Sequence, residues 1–165
     1  LDILAYAKNV GLNIVFHTNG LLITDEIANK LASLVSRVSL TMDGSTSEIL
    51  MKMRKNIFIG KQTLHLVDIF HACDIPVSIK TLVSRINRDD IVNIGEILEN
   101  LPISYWTLLE FVPLNRGELY KEKFFIKNNE FIEITDKIQG LYKNTQIRPI
   151  QYSKKTEGYC FITID

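Results

Sequence analysis

Short runs rich in β-forming residues alternate along this chain with segments of helical periodicity, and that alternation leaves few folds open. Leu12 to Phe16 reads as a buried strand, Val38 to Thr41 as a second, and Ile75 to Val83 as a third. In the third, Pro76 sits near the start, where a missing N–H does least harm. Tyr105 to Val112 is the strongest strand, rich in β-formers and closed by Pro113, and Tyr159 to Ile164 reads as a last one. Between them the spacing predicts a helix over Leu1 to Val10, stopped by Gly11, and one capped by Thr24 with Asp25 and Glu26 in its first turn. Ser45 to Arg54 holds a short helix or ordered loop, and helices follow over Lys61 to Cys73, from Asp89 and Asp90 to Leu101-Pro102, and from Asn128 to Leu141. Leu114 to Lys127 is too long and polar for a simple turn, and Lys143 to Glu157 is irregular. Regular alternation of this kind argues for βαβ units with right-handed crossovers, hence an α/β fold with a parallel sheet or barrel.

In that architecture every strand's carboxyl-terminal tip lies on one face, where ligands bind. Thr18-Asn19-Gly20 ends the first strand and Thr41-Met42-Asp43-Gly44 the second. Lys80, with Thr81 and Asn87 beyond it, and Glu110 near Pro113 complete the set. The collection offers an acid and hydroxyls suited to a ribose and a base suited to a carboxylate. It holds no Ser-His-Asp arrangement, no helical His pair, no GxGxxG and no Walker pattern. Ordinary turn chemistry explains either glycine motif taken singly.

The balance of 19 Lys and Arg against 19 Asp and Glu gives no net field for a polyanion, which disfavours nucleic acid. No apolar run approaches bilayer length. The two cysteines, Cys73 and Cys160, are far apart and make no disulfide framework, so a reducing, cytoplasmic setting is expected. Leu1 opens in what reads as mid-helix and Asp165 closes a strand-like run, so the chain is expected to be a fragment.

Taken together, Phe16-His17-Thr18-Asn19-Gly20, then Val38-Ser39-Leu40-Thr41-Met42-Asp43-Gly44, then Arg54 resembles the radical S-adenosylmethionine superfamily, with the general look of the branch of the molybdenum-cofactor cyclase and peptide-maturing enzymes and with viperin-like nucleotide dehydratases as the other branch left open. Thr41 stands where that family usually has Ser, and Met42 where it has Leu. Lys80-Thr81-Leu82-Val83 running into Asn87, Trp106 to Pro113 with Asn115-Arg116-Gly117, and Tyr159 to Asp165 continue the likeness over most of the chain. The family's CxxxCxxC loop, which holds a 4Fe–4S cluster, and its GGE segment are missing. The resemblance therefore implies a single truncated core domain over residues 1–165, holding roughly strands three to six of a partial (β/α)6 TIM-like barrel. Residues 1–113 would form the alternating part, and residues 114–165 the loop, last helix and final strand.

By the same resemblance Thr18 and Asn19 would line the pocket of S-adenosylmethionine, with Gly20 letting the backbone turn. Thr41 and Asp43 would bond its ribose or amino group, and Arg54 would pair with its carboxylate through two parallel donors. Lys80 and Asn87 would reach cofactor or substrate, and the backbone at Val112 would flank the adenine. The plainer readings are a strand-ending turn for Thr18 to Gly20, a helix cap for Asp43, a solvated surface for Arg54 and a core strand for Val112. His17, His65 and His71 make no metal set. The intact protein would use its cluster to cleave the cofactor to a 5′-deoxyadenosyl radical that takes hydrogen from a small-molecule or peptide substrate. A flavodoxin or ferredoxin would supply the electron, and this fragment alone would be inactive. The alternatives are a non-catalytic α/β domain binding a ligand or partner, and a TIM-type lyase or aldolase with a Lys80 Schiff base.

Overall fold

A computed structural model describes residues 1–151, with Arg116 by its backbone only. The strand expected at Tyr159 to Ile164, with Cys160 in it, lies outside these residues. The described part is α/β, as the alternation predicts, around a parallel sheet of five strands in the order β1 (Val15–His17), β2 (Arg37–Thr41), β3 (Val77–Val83), β4 (Tyr105–Glu110) and β5 (Ile147–Ile150). The helices are α1 (Asp2–Asn9), α2 (Asp25–Ala32), α3 (Ser47–Arg54), α4 (Phe58–Ala72), α5 (Ile91–Leu98), α6 (Lys121–Phe124) and α7 (Asn128–Leu141).

Local chemistry sets most boundaries. Thr24 and Thr46 accept the N–H of Ile27 and Ile49, each at 3.3 Å, and so start α2 and α3. Helix α4 begins at Phe58, ahead of the expected Lys61, because the Asn56 side chain accepts the Phe58 N–H at 2.9 Å and turns the chain into it. The long loop after β4 coils into a 3-10 helix (Asn115–Tyr120) that runs into α6.

Two strands differ from expectation. The first lies at Val15–His17, later than Leu12 to Phe16, and is not buried: Val15 is 40% and Leu12 59% exposed. Among the described strands β1 pairs only with β2, so one of its edges carries no ladder. In the segment read as irregular, Ile147–Ile150 forms β5 against β4, with the Trp106 N–H reaching the Gln146 carbonyl at 2.8 Å. Arg148 and Pro149 hide this strand from pattern reading, and an outer position is where a strand tolerates proline.

Alternation along the strands gives the sheet two unlike faces. On one, Val38, Leu40, Ile79, Trp106 and Leu108 are buried in a single core with Leu31 of α2, Phe70 of α4, Ile94 of α5 and Phe131 of α7. On the other, the register sets Ser39 beside Ser78, Thr41 beside Lys80, and Lys80 beside Thr107. That second face carries most of the sheet's polar side chains, with Val15, Leu82, Leu109 and Ile150 among its apolar members, and ends at the tips.

Behind the core, α5 and the end of α7 meet at Gly95, where an added Cβ would run into the Tyr142 ring. The Tyr142 hydroxyl donates to the Val92 carbonyl at 2.6 Å, which fixes the ring there. Gly95→Ala is expected to lower unfolding free energy by about 1–3 kcal/mol through overpacking. Gly140→Ala, whose Cβ would meet nothing within 4 Å, should raise it by about 0.5–1 kcal/mol. Urea denaturation of the two variants checks the contrast.

Candidate functional site

The tip of β1 is a compact turn. Thr18 Oγ1 accepts the Gly20 N–H at 3.0 Å and Asn19 Oδ1 accepts the Leu21 N–H at 3.2 Å. Gly20 has φ +79°, and a Cβ there would lie 2.5 Å from Leu66 Cδ1, so both conformation and space require glycine.

The tip of β2 is a knot of four elements. Met42 turns into the core, with its N–H on the Lys80 carbonyl at 3.0 Å and its carbonyl taking the Thr81 hydroxyl at 2.5 Å. Asp43 is fully buried; one carboxylate oxygen accepts the Leu82 N–H at 2.7 Å and the other accepts Arg54 Nε from the end of α3. Asn87 lies beneath, also fully buried. Its amide nitrogen donates to the Asp43 and Leu82 carbonyls at 3.0 and 2.9 Å, and its oxygen accepts the Ser84 N–H at 2.8 Å. Ser45 then ties the chain to α5, its N–H and hydroxyl both on the Asp90 carboxylate at 2.7 and 2.5 Å. Burial pushes the Asp43 carboxyl above the usual value, and the Arg54 charge and the Leu82 N–H pull it only part of the way back.

Above this knot a cavity of about 180 Å³ is lined by Asn19, Leu21, Thr41, Arg54, Asn56 and Ile59. Three of the residues expected at the site, Asn19, Thr41 and Arg54, therefore meet. The Arg54 side chain is 41% exposed, and its bond to Asp43 takes one of the guanidinium's five donors. The others are placed differently. Thr18 faces its own turn, and Asp43 and Asn87 lie under the cavity and hold it. Lys80 stands beside Thr41 on the polar face, where its charge adds to burial in lowering the His17 pKa. Val112 is at the tip of β4, outside this cavity, with its carbonyl accepting the Leu114 N–H at 2.9 Å.

Sequence reasoning missed Ser45, Asn56 and Thr63, whose hydroxyl bonds the Thr41 carbonyl at 2.8 Å. It read Asp90 only as a helix opener. No periodicity marks these positions; only a polar residue next to Gly44 hints at Ser45.

The chain is similar to enzymes that use S-adenosylmethionine. It is 32% identical over 118 residues to the AdoMet-dependent heme synthase of Methanosarcina barkeri, covering 71% of this chain and 34% of that protein. With the protein of the same name from Oleidesulfovibrio alaskensis it shares 28% over 117 residues, 70% of this chain and 30% of that one. The chain thus spans about a third of the length of the curated relatives it matches. Among solved structures, a domain of pyruvate-formate lyase-activating enzyme from Bacteroides vulgatus superposes with TM-score 0.69 at 14% identity, over 91% of this chain and 88% of that one. Streptococcus suis SuiB bound to S-adenosylmethionine gives 0.68 at 13%, over 91% and 34%. These likenesses show the fold. No protein-family model matches the chain.

Two substitutions test the knot. Asn87→Ala strands buried carbonyls and an N–H and is expected to cost about 2–4 kcal/mol of stability in chemical denaturation. Asp43→Asn removes a carboxyl whose folded pKa is raised above its unfolded one. In the native protein that carboxyl binds more protons folded than unfolded, so its contribution falls as pH rises from the unfolded pKa through the raised folded one. The stability of Asp43→Asn relative to the native protein should therefore rise across that window. Parallel pH profiles would show that burial does not dominate.

Proposed function

We propose, since the chain belongs to the radical S-adenosylmethionine superfamily, that its strand tips hold the amino-acid end of S-adenosylmethionine in a longer enzyme acting on a small molecule. The observation that carries this reading is the Arg54 guanidinium, pinned by buried Asp43 and facing one cavity with Thr41 and Asn19. An α-carboxylate is the natural partner of a guanidinium held in one orientation. The Thr41 hydroxyl and the Asn19 amide suit the neighbouring amino group or ribose. Lys80 would serve substrate or cofactor from the polar face, and Val112 would give apolar surface to the adenine.

These residues bind and orient; they do not perform electron transfer. Among the described residues no three His, Cys, Asp or Glu side chains are grouped as metal ligands, and Cys73 bonds the Asn29 side chain at 3.1 Å. They do not fit a 4Fe–4S cluster, and by itself the chain is expected to be inactive. In the intact enzyme the bound cofactor supplies hydrogen-atom abstraction, with the electron coming from a flavodoxin or ferredoxin. The named relatives in sequence are heme synthases, which favours a small-molecule substrate over a peptide, although SuiB was solved with its precursor peptide. No helix of the described residues is long and apolar enough to cross a membrane.

The role of Arg54 is tested in the full-length protein by calorimetry. Arg54→Gln should weaken S-adenosylmethionine by about tenfold or more and leave methylthioadenosine, which lacks the carboxylate, unchanged. Equal losses for the two ligands would mean that Arg54 shapes the site without touching the carboxylate.

A further inference from the structure

At the opposite end of the polar face, where the strands begin, three residues far apart in sequence meet. Arg37 opens β2, Tyr105 opens β4 and Arg148 lies in β5. Arg37 Nη1 donates to the Tyr105 hydroxyl at 3.0 Å, and its guanidinium lies 4.9 Å from the ring centroid. Arg148 lies 3.8 Å from the centroid of the same ring, steadied by the Gln146 side chain at 2.7 Å. Two cations thus lean on one ring, and no carboxylate of the described residues forms an ion pair with either.

Two donors here are unspent. Arg37 Nε and, two residues along β2, Ser39 Oγ are buried with no hydrogen-bond partner among the described residues; Ser39 is only 3% exposed. Buried donors left unpaired are costly, and like charges held together are costly again. Both costs fall when an anion with several acceptor oxygens arrives. Burial raises the Tyr105 phenol, but the Ser78 hydroxyl and the two arginines outweigh it and hold the phenol below its usual value, so the spot already favours negative charge.

We propose that Arg37, Tyr105 and Arg148 form a binding site for a carboxylate at the strand-start end of the polar face. A planar carboxylate matches a guanidinium edge through two parallel bonds, and a second guanidinium stacked on the ring supplies the remaining charge. Four residue steps along β2 carry the chain from Arg37 to Thr41, about 13 Å at the usual strand rise. A substrate anchored here by a carboxylate would present its reacting carbon near the cofactor at the tips; this use of the site, though not the site itself, rests on the function proposed above.

The test is a titration of the protein with sodium propionate, following the arginine Nε–H resonances by NMR, with sodium chloride at matched ionic strength as control. Saturable shifts of Arg37 and Arg148 at low-millimolar propionate are expected. Arg148→Gln should weaken them about tenfold or more, Arg148→Lys should restore part of the affinity, and Arg88→Gln should change nothing. Arg148 is exposed, so its variants should fold even if Arg37→Gln does not. Shifts reproduced by chloride, unchanged binding in Arg148→Gln, or tighter binding of inorganic phosphate than of propionate would each overturn the assignment. Arg54→Gln leaves this titration untouched, so a failure here removes this site alone, and a failure of cofactor binding removes the tip reading alone.

Discussion

The buried carboxylate of Asp43 is the interaction on which the tip face depends. Taking a charge out of water costs several kcal/mol even after relaxation, and a buried ion pair is seldom the most stabilising choice for its space. What this one does is geometric. One oxygen holds the end of β3 through the Leu82 N–H, and the other holds the end of α3 through Arg54. The Asn87 amide bridges the Asp43 and Leu82 carbonyls below. A β2 tip, a β3 tip and a helix end are thereby set relative to one another. Arg54 gives up one donor to be aimed, and its other donors can be offered in a fixed orientation.

The same economy of position governs the sheet. Parallel sheets usually bury apolar side chains on both faces. Here one face is apolar and packed under helices, while the other carries Ser39, Ser78 and Thr107, all nearly or fully buried. Ser78 bonds the Val38 carbonyl at 3.4 Å, whereas Ser39 finds no partner among the described residues. Hydroxyls in such places contribute little to a core and much to a surface that receives polar ligands.

How much of this could be read from the chain follows from the range of each interaction. Alternation and capping are local, so the α/β fold, the Thr24 cap and the polar tips were legible. The first strand was misjudged because burial depends on neighbours, and β1 has only one among the described strands. β5 was missed because Arg148-Pro149 breaks the apolar run that marks strands. At the site, Thr18, Asn19 and Gly20 were visible as a turn, and Arg54 came from resemblance. That Asp43 and Asn87 lie beneath the cavity could not be seen, since their partners are a helix end and backbone atoms of another strand. Asp90 and Ser45 sit 45 residues apart and are joined only by the fold. Arg37, Tyr105 and Arg148 are related only through the register of four adjacent strands.

That register is what couples the two ends. In β2 the core residues Val38 and Leu40 alternate with Arg37, Ser39 and Thr41, so a slip of one residue would turn both arginine and threonine toward the helices and the aliphatic chains toward the polar face. The packing of Val38 and Leu40 against Leu31 and Phe70 forbids that slip. The core therefore does more than stabilise the sheet. It fixes the distance between the guanidinium at the strand start and the hydroxyl at the tip, a length set by strand rise that loop changes at either end cannot adjust. Any ligand that engages both ends must match that length, and variation in the loop after β4 can alter what surrounds it without altering its span.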